Sequence, residues 1–117
     1  MYIINIWKER RGFTVKITDI KVRKLFEDDS PMKAIASVTF DEQLALHDIK
    51  VIYAREKYFI VMPSRKNADG TYRDIVHPIN AEFRTELEAS VLEAYDRAVA
   101  EAEAVKAMEE SDQTDEF

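Results

Sequence analysis

Residues 15–26, VKITDIKVRKLF, alternate apolar and polar positions, with Val15 and Ile17 on one phase and Ile20 and Val22 on the other. A period of two marks a half-buried β-strand. The phase change at Thr18 and Asp19 predicts a bulge or a join between two short strands, since one extra residue carries the pattern to the other face. Asp28, Asp29, Ser30 and Pro31 then predict a turn, because Asp and Ser bond the local backbone and Pro fixes φ. Residues 32–40, MKAIASVTF, form a second strand with Ala34, Ala36, Val38 and Phe40 on one face, and the alanines leave room for a closely packed helix. After a turn at residues 41–43, LALHDIKVIY (44–53) is a third strand with its own phase change at His47 and Asp48. Residues 58–62, YFIVM, are wholly apolar and predict a central strand covered on both faces, ended by Pro63. A further short strand, residues 72–76, follows the Asp69-Gly70 turn.

The period changes after His77-Pro78-Ile79. Asn80 is a helix N-cap candidate with Glu82 in the first turn, and Phe83, Leu87, Val91, Ala94, Tyr95 and Ala98 recur at steps of three and four. That stripe predicts an amphipathic helix lying on one face of the sheet. Beyond residue 99 the apolar side shrinks to alanine methyls, which predicts an exposed, fraying continuation followed by a disordered SDQTDEF end. The fold class expected is α+β: an antiparallel meander of four to five strands covered by one C-terminal helix. The organisation expected is an N-terminal extension (1–14) that is either an edge strand or an arm, a single domain (15–99), and an acidic Ala/Glu-rich tail (100–117).

A chain of 117 residues holds one core. It contains no run near the ~20 apolar residues of a membrane span, so no membrane partner is expected. It also has no cysteine, which fits a reducing compartment, and the cytoplasm is the expected location. The net charge of −6 is unevenly placed: residues 1–80 carry 14 Lys/Arg against 11 Asp/Glu, whereas 81–117 carry 3 against 12. The body is therefore mildly basic and compatible with an anionic ligand, and the acidic tail is a competitor for its basic face.

Candidate catalytic chemistry is sparse. His47-Asp48 are adjacent strand residues that point to opposite faces, and only one other histidine, His77, exists; the expectation is a structural histidine beside a strand kink and no metal site. His77-Pro78 reads as a sheet-to-helix corner, and Ser64 lacks both a GxSxG context and a local base. Two glycines cannot build a Gly-rich phosphate loop. No cofactor, no small-molecule substrate and no enzyme activity are expected. The basic turn differs: Ser64, Arg65, Lys66 and Asn67 precede Asp69-Gly70, and Arg73 follows it. Cations and neutral donors around one tight turn suit a phosphate backbone, where Arg forks to two oxygens and Lys adds a point charge. Lys21, Arg23 and Lys24 form a secondary set of candidates.

The runs KAIASVTFD, HDIKVI and FIVMPSRKNADGTYRDIVHPIN together resemble stage V sporulation protein G, the SpoVG family of small bacterial regulators, from about residue 15 to 97. The resemblance implies an α+β fold that dimerises through its sheet, binds DNA and/or RNA, and influences septation, cell division, sporulation and gene expression. The family's basic recognition positions fall on Arg65, Lys66 and Arg73. The chain departs from the pattern in its first 14 residues, in its Ala/Glu tail, and in the turn at residues 54–57, which lacks the glycine expected between the third and fourth strands. The function expected is that of a dimeric nucleic-acid-binding regulator; the alternative is a protein-interaction adaptor of the division or transcription machinery.

Overall fold

A computed structural model of the chain describes the backbone of residues 15–115 and the side chains through residue 109. The N-terminal extension lies outside the described residues. The order is β1 (Ile17–Leu25), β2 (Met32–Phe40), β3 (Leu44–Ala54), β4 (Lys57–Val61), β5 (Ser64–Lys66), β6 (Tyr72–Asp74) and α1 (Ala81–Asp115). β1 to β4 form an antiparallel meander in sequence order, and β5 with β6 forms a separate two-stranded ribbon. The architecture is α+β, as the hydrophobic pattern predicts.

Both predicted phase changes are bulges. The β1–β2 register shifts between Ile17 and Asp19, and the β2–β3 register shifts between Ala36 and Val38. In the second, Ser37 stands opposite both His47 and Asp48, and Asp48 takes φ 66°, a left-handed conformation that Asp tolerates better than most residues. A further shift at Arg23 has no signature in the alternation.

Directly paired residues share a face. The rows Leu25–Ala34–Val51–Ile60, Val22–Ala36–Ile49 and Ile20–Val38–Leu46 therefore face one way, and they meet Leu87, Val91 and Tyr95 of α1 in the core. Ala34 and Ala36 are fully buried, so the helix approaches β2 closely, as their size predicts. Each fully buried Leu, Val or Ile here contributes about 1.5–3 kcal/mol relative to exposure. Phe40 stacks with Phe83 at 6.1 Å, and Tyr53, Tyr58 and Tyr95 form a chain with centroid spacings of 4.6 and 5.6 Å.

The helix begins as expected. Asn80 Oδ1 accepts the Phe83 backbone N–H at 2.7 Å, and its carbonyl accepts that of Arg84. It continues through Asp115, into the SDQTDEF end where the sequence pattern predicts disorder. Ala, Glu and Lys are strong helix formers, and a helix already nucleated on the core extends at little cost. Residues 103–109 are exposed.

Two other expectations are corrected. β4 is an edge strand paired only to β3, with Tyr58 42% exposed; its apolar run reflects Ile60 and Met62 in the core and Phe59 and Val61 on the far face. The strand at 72–74 does not extend the main sheet, because Pro63 lacks the N–H that would carry the ladder onward, and the chain instead folds back on itself. The Ile75 N–H donates to the Pro63 carbonyl at 2.8 Å and closes the base of the ribbon. No helix among the described residues is long and apolar enough to cross a membrane.

Candidate nucleic-acid interface

The β5–β6 ribbon is held by its turn. Asn67 N–H donates to the Thr71 carbonyl at 2.7 Å and Gly70 N–H to the Asn67 carbonyl at 3.0 Å, with Gly70 at φ 89°. Asp69 Oδ1 accepts from both the Thr71 hydroxyl (2.7 Å) and the Thr71 backbone N–H (3.0 Å). Those two bonds favour the ionised form and hold the Asp69 carboxyl below the ordinary 3.8. They also commit this carboxylate to the turn.

The ladder pairs Ser64 with Asp74, Arg65 with Arg73, and Lys66 with Tyr72. Arg65 and Arg73 thus stand side by side on one face of the ribbon, both exposed. Lys66 lies on the opposite face with Tyr72. The three cations around the turn therefore do not share one face, because successive strand residues alternate. Asn67, Arg65 and Arg73 line a shallow concavity of about 340 Å³ together with Asp74 and Ile75. Ser64 is half-buried at the ribbon's base. Neither arginine forms a salt bridge among the described residues, whose ion pairs are Arg97–Glu93 and Lys106–Glu27. Like charges directly opposite one another destabilise a ribbon, a cost that an anion between the two forks would offset.

The secondary candidates lie elsewhere. Lys21 pairs with Ser37 and Lys24 with Ile35, on the sheet face turned away from α1. Arg23 Nε donates to Ser37 Oγ at 3.4 Å, and Lys24 Nζ sits 4.9 Å over the Phe26 ring. His47 Nδ1 is 2.9 Å from the same Ser37 hydroxyl, which makes it a structural histidine at a bulge. His77 Nδ1 lies 3.0 Å from the Pro78 carbonyl oxygen. Among the described residues no group of three or more His, Cys, Asp or Glu is placed to hold a metal ion.

Sequence reasoning misses two sets of residues. Lys50 and Lys57 share the sheet face of Lys24, which the register alone reveals. Tyr72 (70% exposed), Ile75 (68%) and Ile79 (89%), with Val76, are exposed apolar residues in and after the ribbon, Tyr72 on the Lys66 face and Ile75 beside the arginines. They read as strand and core when only their hydrophobicity is visible.

Comparison with known proteins adds the family. The SpoVG family model matches residues 15–97. A relative from Clostridioides difficile, named "Putative septation protein SpoVG", is 54% identical over 89 residues, covering 76% of this chain and 96% of the relative. Proteins of the same name from Caldanaerobacter subterraneus subsp. tengcongensis and Macrococcus caseolyticus are 51% identical over 84 residues (72% and 91% covered) and 43% identical over 105 residues (84% and 90% covered). A family model spanning the sheet, the ribbon and the core half of the helix, joined to this level of identity, establishes that the chain belongs to the SpoVG family.

Proposed function

We propose that this protein is a non-enzymatic, cytoplasmic nucleic-acid-binding regulator that acts in septation, with the β5–β6 ribbon gripping the phosphate backbone of DNA or RNA. The observation that carries this reading is the Arg65–Arg73 pair: two exposed guanidiniums placed side by side, neither in a salt bridge among the described residues, with Asn67 and a single carboxylate, Asp74, lining the same concavity. Lys66, on the other face, adds a charge toward a neighbouring phosphate. The septation role rests on the names of the relatives.

The protein acts as a dimer in this reading. The apolar residues Tyr72, Ile75, Val76 and Ile79 are exposed in the single chain, and β1 and β4 are open sheet edges. Proteins usually cover such features. Pairing through the sheet edges sets two ribbons at a fixed spacing and raises a modest single-ribbon affinity by bivalency. The exposed apolar residues support a second reading, an adaptor that docks a protein of the division or transcription machinery.

The test is the R65A/K66A/R73A variant, titrated with labelled duplex at several salt concentrations. Its melting temperature stays near wild type, since exposed substitutions shift stability by about 0.5 kcal/mol or less. Duplex affinity falls, and the salt slope flattens by roughly 0.9 for each phosphate that is no longer neutralised. Wild-type affinity and slope in a folded triple variant would refute the ribbon as the interface. A wild-type protein that binds no nucleic acid at low salt would leave the adaptor.

A further inference from the structure

The sheet face turned away from α1 has a composition unlike that of a covered face or an ordinary solvated one. The register places the row Lys24–Ile35–Lys50–Val61 across all four strands, beside the row Met32–Ile52–Phe59. Lys57 pairs with Ala54 at one corner, and Lys21 pairs with Ser37 at the other, where Arg23 reaches the same serine. Ile35, Ile52, Phe59 and Val61 are half-buried, yet none belongs to the core beneath the helix. The result is an apolar, aromatic-bearing centre rimmed by Lys21, Arg23, Lys24, Lys50 and Lys57. Two carboxylates adjoin these rows: Asp19, paired with Thr39 at the far end, and Asp48, which stands with His47 opposite Ser37.

We infer that this open face is a second binding track for single-stranded nucleic acid, in addition to the duplex grip of the ribbon. The inference deepens the nucleic-acid reading above and rests on it. Three physical features select this occupant. Strands lie about 4.8 Å apart, so Lys24, Lys50 and Lys57, on the first, third and fourth strands, spread positive charge across the width of the sheet, as suits a charged polymer crossing it. The centre is flat and apolar, with Phe59 and isoleucines that accept the face of an unstacked base. A duplex keeps its bases stacked on each other and would present only sugar and phosphate to that centre. A second copy of the chain is disfavoured here, because two identical cationic faces would repel.

The experiment compares the full chain, a K24A/K50A variant and the R65A/K66A/R73A variant. Each is titrated with oligouridylate, oligothymidylate and a duplex, after circular dichroism has verified the fold. For K24A/K50A, affinity for both single strands falls about tenfold and the salt slope flattens by roughly 1.4, about 0.7 for each single-strand phosphate released. Its duplex affinity changes by less than about twofold against a ribbon contribution that is intact. Photocrosslinking with 5-iodouridine in the same oligonucleotide labels the peptide holding Phe59. Tighter binding of RNA than of DNA supports a 2′-OH contact within the track, and equal binding supports a track that reads stacking and charge alone.

Wild-type oligouridylate affinity and slope in K24A/K50A overturn the proposal. So do crosslinks confined to residues 64–74, or a face that binds phosphatidylglycerol vesicles but neither oligonucleotide. If the ribbon variant keeps its duplex affinity while K24A/K50A loses single strands, the ribbon reading fails and the track stands; the reverse pattern fails the track alone.

Discussion

The β3–β4 turn stores backbone energy that a two-residue exchange should release. β3 ends at Ala54 and β4 begins at Lys57, and these two residues pair directly, leaving Arg55 and Glu56 as a two-residue loop. Their φ angles are 55° and 62°. Positive φ at both central residues is the type I′ pattern, whose twist matches that of the flanking strands and which favours Asn-Gly. For an ordinary L-residue the left-handed region costs roughly 1–2 kcal/mol. Glycine removes that cost at position 56 but loses about 0.5–1 kcal/mol more chain entropy on folding, leaving a gain of several tenths of a kcal/mol. Asparagine at position 55, which visits this region more readily, brings the R55N/E56G total to about 1 kcal/mol. At that value the melting temperature rises by about 4 °C. Urea unfolding of variant and wild type at the same protein concentration checks the value, because any association equilibrium then enters both alike. The complementary control is G70A: Gly70 sits at φ 89° with nothing within 4 Å of an added Cβ, so its loss of about 1 kcal/mol is purely conformational. An R55N/E56G variant no more stable than wild type, alongside a destabilised G70A, would refute the account of strain at this turn.

Two further outcomes are expected. N80A removes the side-chain acceptor that receives the Phe83 N–H and lowers stability by about 1 kcal/mol, measured by the same urea titration, while N80D stays close to wild type. T71V removes the hydroxyl that donates to Asp69, so the Asp69 carboxyl titrates closer to its ordinary 3.8 in an NMR pH series. In the wild type the depressed value has a defined sign. The folded turn binds its proton less readily than the unfolded chain, so its contribution is complete above pH 3.8 and is lost as pH falls through the lower folded value. Asp28, which accepts from both the hydroxyl and the backbone N–H of Ser30, follows the same direction.

The parts of the fold that local chemistry controls were legible in the sequence. Alternation located β1 to β3, the phase change at His47-Asp48 located a bulge, and Asn80 marked the helix start. What alternation cannot carry is partnership. The run at 58–62 is apolar on both phases whether its strand is central or at an edge, and only the ladder shows that β4 lacks a second neighbour. The same limit applied to the site. Arg65 and Arg73 stand out in the sequence as cations near a turn, but their side-by-side placement, and the exclusion of Lys66 from that face, depend on a register set by the four residues from Asn67 to Gly70. Lys50 and Lys57 carried no signal at all until pairing put them beside Lys24. Helix length was under-read for a different reason: the tail has no apolar stripe, and its backbone preference alone continues α1.

The ribbon is joined to the sheet through Pro63 and is closed at its base by one backbone bond from Ile75. Its cross-strand pairs are all internal, and Arg65, Lys66, Tyr72 and Arg73 are exposed. Exchanges at those four positions therefore leave the rows that meet α1 untouched, and natural variation there is thermodynamically nearly silent. A lineage can retune what the ribbon grips by single substitutions, each tolerated as it arises, without compensating changes in the core. The ribbon is in that sense a reading head on which the chassis does not depend: where relatives keep Arg65, Lys66 and Arg73, the stability of the fold supplies no reason for it, and what the ribbon grips does.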